Sequence, residues 1–171
     1  MRIRWQFLTV PVLVGALMTP LRGGNVPLGN LHADRIVVLK SERQLQLWSH
    51  GKMLRSYKVA LGPHPLGTKE REGDGRTPEG TYTVVRHNPK SQFHLSLRLS
   101  YPNDADRARA ARLGVQPGGD IMIHGLPKGY GWVGAAHTQH DWTAGCIAVT
   151  NAEIEEIYRA VADGTPVEIR P

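Results

Sequence analysis

One cysteine, Cys146, stands in the whole chain of 171 residues. A disulfide framework within the chain is therefore excluded, and an oxidising compartment holds no second thiol of its own to trap it. No dense Lys/Arg cluster occurs, and basic residues are not interleaved with aromatics in the way that tracks single strands, so nucleic acid is not an expected partner. No apolar run reaches the roughly 20 residues needed to span a bilayer. Internal repeats and low-complexity segments are missing too, which sets aside solenoids and disordered linkers as the main architecture. Finally, the first 30 residues contain no acid.

What is present suits one packed domain. Hydrophobic residues make up 40% and charged residues 21%, enough for a core at this length. The formal net charge is +6. Arg2, Arg4 and Arg22 carry three of those charges, so the remainder holds a surplus of +3, suited to an anionic polymer or surface. Arg2 and Arg4 precede a mostly apolar stretch from Phe7 to Met18, the pattern of an export signal. Pro11 is unusual there, and Thr19 to Gly24 offers no clean small-x-small cleavage site. Residues 1–30 are expected to be a signal peptide and linker, with an uncleaved anchor or a misplaced start as alternatives. The chain is then exported to the periplasm or cell envelope and meets the membrane only through that segment. The folded domain is expected over 34–171, as a monomer.

Arg35–Leu39 is a β-branched run of strand length, and Gln44–Trp48 alternates with period two. A turn at Ser49–Lys52 leads into a third strand over Met53–Leu61. Gly62–Gly80 is a loop with five glycines and three prolines. Further strands are predicted over Thr81–Val85, Phe93–Leu99 and Asp120–Ile123. A helix over Asp104–Leu113 is capped by Asn103. Thr150-Asn151-Ala152-Glu153 is a capping box for a second helix, with Ile154, Ile157, Tyr158 and Val161 on one face and Gly164 as its stop. Pro166–Ile169 is predicted as an edge strand. The expected fold is mostly β, a sandwich or barrel-like mixed sheet with one or two helices packed on it.

Cys146 follows Gly145, which permits a sharp turn, and precedes the apolar anchor Ile147-Ala148-Val149. Alone, it fits a nucleophile as well as a small buried hydrophobe. Of the eight histidines, His124 is placed differently, at a strand end before Gly125. If its strand neighbours that of Cys146, imidazole and thiol meet at one rim. A histidine satisfied by a core hydrogen bond is the alternative. Tyr130, Trp132, Trp142 and Asp141 are candidate walls of a substrate cleft.

Ile123-His124-Gly125 followed by Thr143-x-Gly145-Cys146 resembles the catalytic signature of the YkuD-type L,D-transpeptidases. Gly73-Asp74-Gly75-Arg76-Thr77-Pro78-Glu79-Gly80-Thr81-Tyr82 resembles the family's Gly-rich loop and strand, and the similarity runs from about Asp34 to Pro171. The resemblance implies Cys146 as nucleophile, forming a thioester with a donor tetrapeptide stem of peptidoglycan, and His124 as general base, its ring oriented by the Gly125 carbonyl. It implies an oxyanion hole at Gly145 and Cys146 with help from Thr143, release of D-alanine, and an amine or water as the second nucleophile. No metal or organic cofactor is implied. The chain departs from the family pattern at Ala144, where a histidine is usual, at Ala148, where many members carry arginine, and in a long spacer between His124 and Thr143. His137 and His140 are read as exposed loop residues, with a fold-back toward the missing imidazole as the alternative. They also make a short metal-competent pair with Cys146 and His124 nearby, the basis of a zinc-hydrolase rival. A non-catalytic wall-binding module is a second rival, and within the family the alternative to cross-linking is carboxypeptidase action or exchange of terminal D-amino acids by the same site.

Overall fold

The structure is a computed structural model that describes residues 32–171. The expected export segment and most of the linker lie outside the described residues. Eight strands run in the order β3-β2-β1-β8-β4-β5-β6-β7. They span Arg35–Leu39 (β1), Gln44–Ser49 (β2), Lys52–Lys58 (β3), Gly80–Asn88 (β4), Ser96–Leu99 (β5), Met122–His124 (β6), Ile147–Ala148 (β7) and Pro166–Arg170 (β8). The pairs β1–β8 and β6–β7 are parallel and the others antiparallel, so the sheet is mixed. Just past β3, Ala60 exchanges two backbone hydrogen bonds with Ala148 of β7, at 3.0 and 2.9 Å. The two ends of the strand order therefore meet, and the sheet curls on itself.

The local chemistry explains the pieces. His50 and Gly51 both take positive φ, as a two-residue hairpin turn requires, and join β2 to β3. Leu45 and Leu47 alternate inward from β2, fully buried. Helix α1 (Asp104–Leu113) starts on an Asn103–Asp106 capping box. Helix α2 (Asn151–Ala160) starts on the expected Thr150–Glu153 box. It buries Ile154, Ile157 and Ala160. Each isoleucine contributes roughly 1.5–3 kcal/mol by leaving water.

Three expectations change. The strand at the C-terminus is not an edge: β8 lies between β1 and β4, with Val167 and Ile169 buried. Pro166 occupies its first position, where a proline is tolerated inside a sheet as well as at its edge. Helix α2 ends at Ala160, before Gly164, because Val161 turns extended and bridges Ala33. The third strand ends at Lys58, although the chain stays buried through Val59, Ala60 and Leu61.

The loop over 62–80 is held by two buried lysines. Lys40 donates to the carbonyls of Gly67 and Thr77 and to Glu79 at 2.7 Å. Lys69 is paired with Asp74 at 2.8 Å. Burial works to raise the Asp74 carboxyl, but Lys69 and the amides of Glu70, Arg71 and Arg76 prevail and hold it at about 2. The irregular segment is thereby fixed in place beside the sheet end that carries Cys146.

Candidate active site

Strand register places the thiol and the imidazole on one face of the sheet end. In the parallel pair β6–β7, Ile123 lies beside Ile147 and His124 beside Ala148. Side chains alternate faces along a strand, so Ile123 and Ile147 enter the core while His124 and Cys146 share the opposite face as diagonal neighbours. Cys146 is partly exposed and His124 buried.

The turn before Cys146 is tightly determined. Thr143 Oγ1 donates to the Cys146 carbonyl at 2.8 Å and accepts the Gly145 amide at 3.1 Å. Gly145 takes φ +124°, and a Cβ there would lie 2.5 Å from the Arg76 carbonyl oxygen. Gly62 is pressed harder still: a Cβ would run into the Gly75 carbonyl oxygen and lie 3.2 Å from the Gly145 nitrogen. The Gly-rich loop thus packs backbone against backbone on the Cys146 turn, which is why glycine recurs on both sides.

His124 is fixed by its neighbours. Its Nδ1 lies 2.7 Å from the Gly125 carbonyl, which only accepts, so in the neutral ring Nδ1 carries the proton and Nε2 keeps a free lone pair. Phe93 lies against the ring at 4.4 Å and Trp142 meets it at 5.8 Å, steeply inclined. Asn151, the first residue of α2, accepts the Leu126 amide at 2.8 Å and ties the chain after His124 to the helix. A Cβ on Gly125 would come within 2.8 Å of that same Asn151 oxygen.

Burial sets the protonation states. It lowers the His124 imidazole to about 4, against the weaker opposing effect of the Gly125 carbonyl, and nearby His137 lowers it further. Burial also raises the Cys146 thiol above its ordinary value of 9.0, with the Met122 amide opposing. At neutral pH both groups are therefore uncharged, a thiol and a neutral imidazole. Alkylation by iodoacetamide should accordingly climb with pH and reach its midpoint above pH 9.0, with no plateau in the acid range. A midpoint between pH 5 and 7 would instead reveal a preformed thiolate–imidazolium pair.

The same burial makes the fold sensitive to acid. The unfolded chain protonates His124 near its ordinary 6.5, while the folded chain resists until about 4. Stability is therefore complete above pH 6.5 and falls as the pH drops toward 4. The full loss from this group is about 3 kcal/mol. Urea midpoints measured between pH 8 and 4 should fall over that window, and a His124→Phe variant should lose that part of the dependence.

The other candidate residues divide. A cavity of about 310 Å³ has Trp142 and Tyr130 in its lining, and Trp142 is also the ring that meets His124. Trp132 is 82% exposed and is not part of that lining. Asp141 accepts from Arg43 through both carboxylate oxygens and takes the Leu61 amide at 3.0 Å, which gives it an architectural task. His140 is exposed and His137 is buried against Trp142, and both line the cavity. Among the described residues no group of three or more His, Cys, Asp or Glu side chains is placed to hold a metal ion. Phe93 and Asn151 were not singled out by sequence as parts of the site. Asn151 directly after a capping residue was the available signal, and Phe93 offered none.

A sequence profile of the L,D-transpeptidase catalytic domain, YkuD, matches residues 33–169. YafK of Escherichia coli (strain K12), an L,D-transpeptidase by name, is 33% identical over 132 residues, covering 74% of this chain and 46% of that protein. The helical cell shape determining protein Pgp2 of Campylobacter jejuni superposes with a TM-score of 0.62 at 26% identity, over 84% of this chain and 52% of its own. An L,D-transpeptidase from Mycobacterium smegmatis shares the fold, with a TM-score of 0.52 at 15% identity, over 80% of this chain and 58% of its own. The chain spans about half the length of these relatives.

Proposed function

The chain belongs to the YkuD family of L,D-transpeptidase catalytic domains, and on that premise we propose that it is a cysteine acyltransferase acting on peptidoglycan stem peptides in the cell envelope. The observation that carries this reading is the shared face at the β6–β7 end, where partly exposed Cys146, its Sγ donating to the Asp120 carbonyl at 3.5 Å, stands one diagonal step from His124 with Nε2 free. Cys146 Sγ attacks the carbonyl of the donor's diamino acid at its L-centre while His124 Nε2 takes the thiol proton. The C–S bond forms, the amide C–N bond breaks, and the proton passes to the departing D-alanine nitrogen. Backbone amides about Cys146 meet the transient oxyanion. The Gly145 amide is donated to Thr143, so it contributes only by leaving that hydrogen bond. Thr143 then acts chiefly by setting the turn.

An acceptor amine gives a cross-link, and water gives a trimmed tripeptide. Resemblance to Pgp2 supports a part in cell shape, and the basic stretch at Arg2 and Arg4 before Phe7–Met18 supports export. Incubation with a purified tetrapeptide stem, alone and with an acceptor stem, tests the reaction by chromatography and mass. D-Alanine release that depends on Cys146 is the expected result. Release that survives Cys146→Ala, or that stops on chelation with EDTA while Cys146 stays unmodified, would point to the hydrolase rival.

A further inference from the structure

One residue, Asp120, joins the thiol to a guanidinium. Its carbonyl accepts from Cys146 Sγ at 3.5 Å, and its carboxylate accepts from Arg98 Nη2 at 2.7 Å. Asp120 takes φ +48°, in the left-handed region where aspartate is among the better-tolerated residues.

Strand register puts Arg98 on the reactive face. Arg98 lies opposite Met122 and Ser96 opposite His124, while Leu97 pairs with Ile123 and enters the core. Opposed residues share a face, and alternate residues along a strand return to it. Across the other edge of β5, Arg86 of β4 lies opposite Arg98. Like charges directly opposite one another destabilise a sheet, and Asp120 answers only one of the two. Arg86 is exposed, and its side chain makes no ion pair or hydrogen bond among the described residues.

The Arg98–Asp120 pair does little for the fold. Its side chains are 43% and 62% exposed, and so wet a pair stabilises by only about 0–1 kcal/mol. What it fixes is the placing of the guanidinium. Nε is buried without a partner and Nη2 is engaged, which leaves Nη1 as the open donor. The interval from Sγ to this group is one residue, Asp120, which reaches both. A departing D-alanine covers the same interval, because its terminal carboxylate stands one residue, about 3.8 Å, beyond the scissile carbonyl.

We propose that Arg98, with Arg86 beside it, recognises the terminal carboxylate of the donor stem and so selects a peptide bond one residue from a free C-terminus. The inference rests on the cysteine reading of Cys146. Nη1 donates to the carboxylate in a charge-assisted hydrogen bond while Asp120 keeps Nη2. Arg86 supplies the second positive charge, and the bound anion relieves the repulsion between the two arginines. A longer stem presents an uncharged amide at that point and leaves Arg86 unanswered.

The experiment compares a tetrapeptide donor ending in D-alanine with the same peptide carrying a C-terminal carboxamide, and reads the initial rate of acyl-adduct formation at Cys146 by quenching and intact mass. The parent protein should prefer the carboxylate by about ten- to a hundredfold, the effect of a hydrogen bond to a charged group. Arg98→Met should bring the two donors to within about twofold of each other, from loss of that same bond. Arg98→Lys should keep part of the preference, because it keeps the charge but not the fork. Arg86→Met should reduce it by roughly threefold, the effect of an exposed charge. Arg159→Met removes a positive charge from the exposed side of α2 and should leave the preference intact. Each ratio is read on one protein sample, so partial loss of folded protein cancels. A parent without preference, or a preference that survives Arg98→Met, overturns the role of Arg98 and leaves the cysteine mechanism standing. A folded parent that forms no adduct with either donor overturns the cysteine reading and this inference with it.

Discussion

His124→Gln is expected to slow acylation of Cys146 by between a hundred- and ten-thousand-fold, the range supplied by a positioned general base. Glutamine keeps polar reach but has no lone pair basic enough to take a thiol proton. The effect falls on the chemical step, because Nε2 is the unengaged nitrogen and the Gly125 carbonyl holds the other. It should appear in the rate of adduct formation, followed by quenching and intact mass, in protein whose melting transition is intact. The pH dependence sharpens the test. With His124 lowered to about 4, the acid limb of kcat/KM should fall near that value and not near 6.5. A rate within tenfold of the parent would remove His124 from the base role.

Gly145→Ala should be severely damaging although the residue lies outside the proposed reactive pair. The residue combines φ +124° with a projected Cβ only 2.5 Å from a backbone oxygen of Arg76. Strain at positive φ costs about 1–2 kcal/mol, and the clash adds to it because the obstacle is backbone and not a flexible side chain. The turn and the loop must separate, which carries Sγ away from His124. The expected result is a fall in Tm of roughly ten degrees together with loss of acylation. Gly51→Ala supplies the comparison: it has positive φ but nothing within 4 Å, so it should cost only about 1 kcal/mol. A Gly145→Ala protein no worse than Gly51→Ala in either measurement would contradict the packing account.

Features written in short-range pattern were legible before the fold was known. The Thr150–Glu153 box, the Asn103 cap, the alternation in Gln44–Ser49 and the glycine before Cys146 each encode local geometry within a few residues. A shared face for His124 and Cys146 hung on the condition that their two strands are neighbours, and β6 and β7 do pair in parallel.

What sequence did not reveal depends on partners distant along the chain. Pro166 was read as an edge signal, yet strand order is set by which surfaces remain to be covered, and β8 fills the gap between β1 and β4. Lys40 and Lys69 look like surface charges until Glu79, Asp74 and a set of loop carbonyls surround them. His137 lies in a Gly-rich stretch that resembles an exposed loop, and only the 3₁₀ segment Gly131–Gln139, closing over the cavity, buries it. Phe93 reaches the site because the chain before β5 passes over His124.

The central claim is that Cys146 carries the acyl group, and intact-protein mass spectrometry after brief exposure to a donor tetrapeptide or a carbapenem tests it most directly. The parent protein should gain one adduct, located at Cys146 by digestion, and Cys146→Ala should gain none. An equal adduct on Cys146→Ala, or none on folded parent protein, would contradict it.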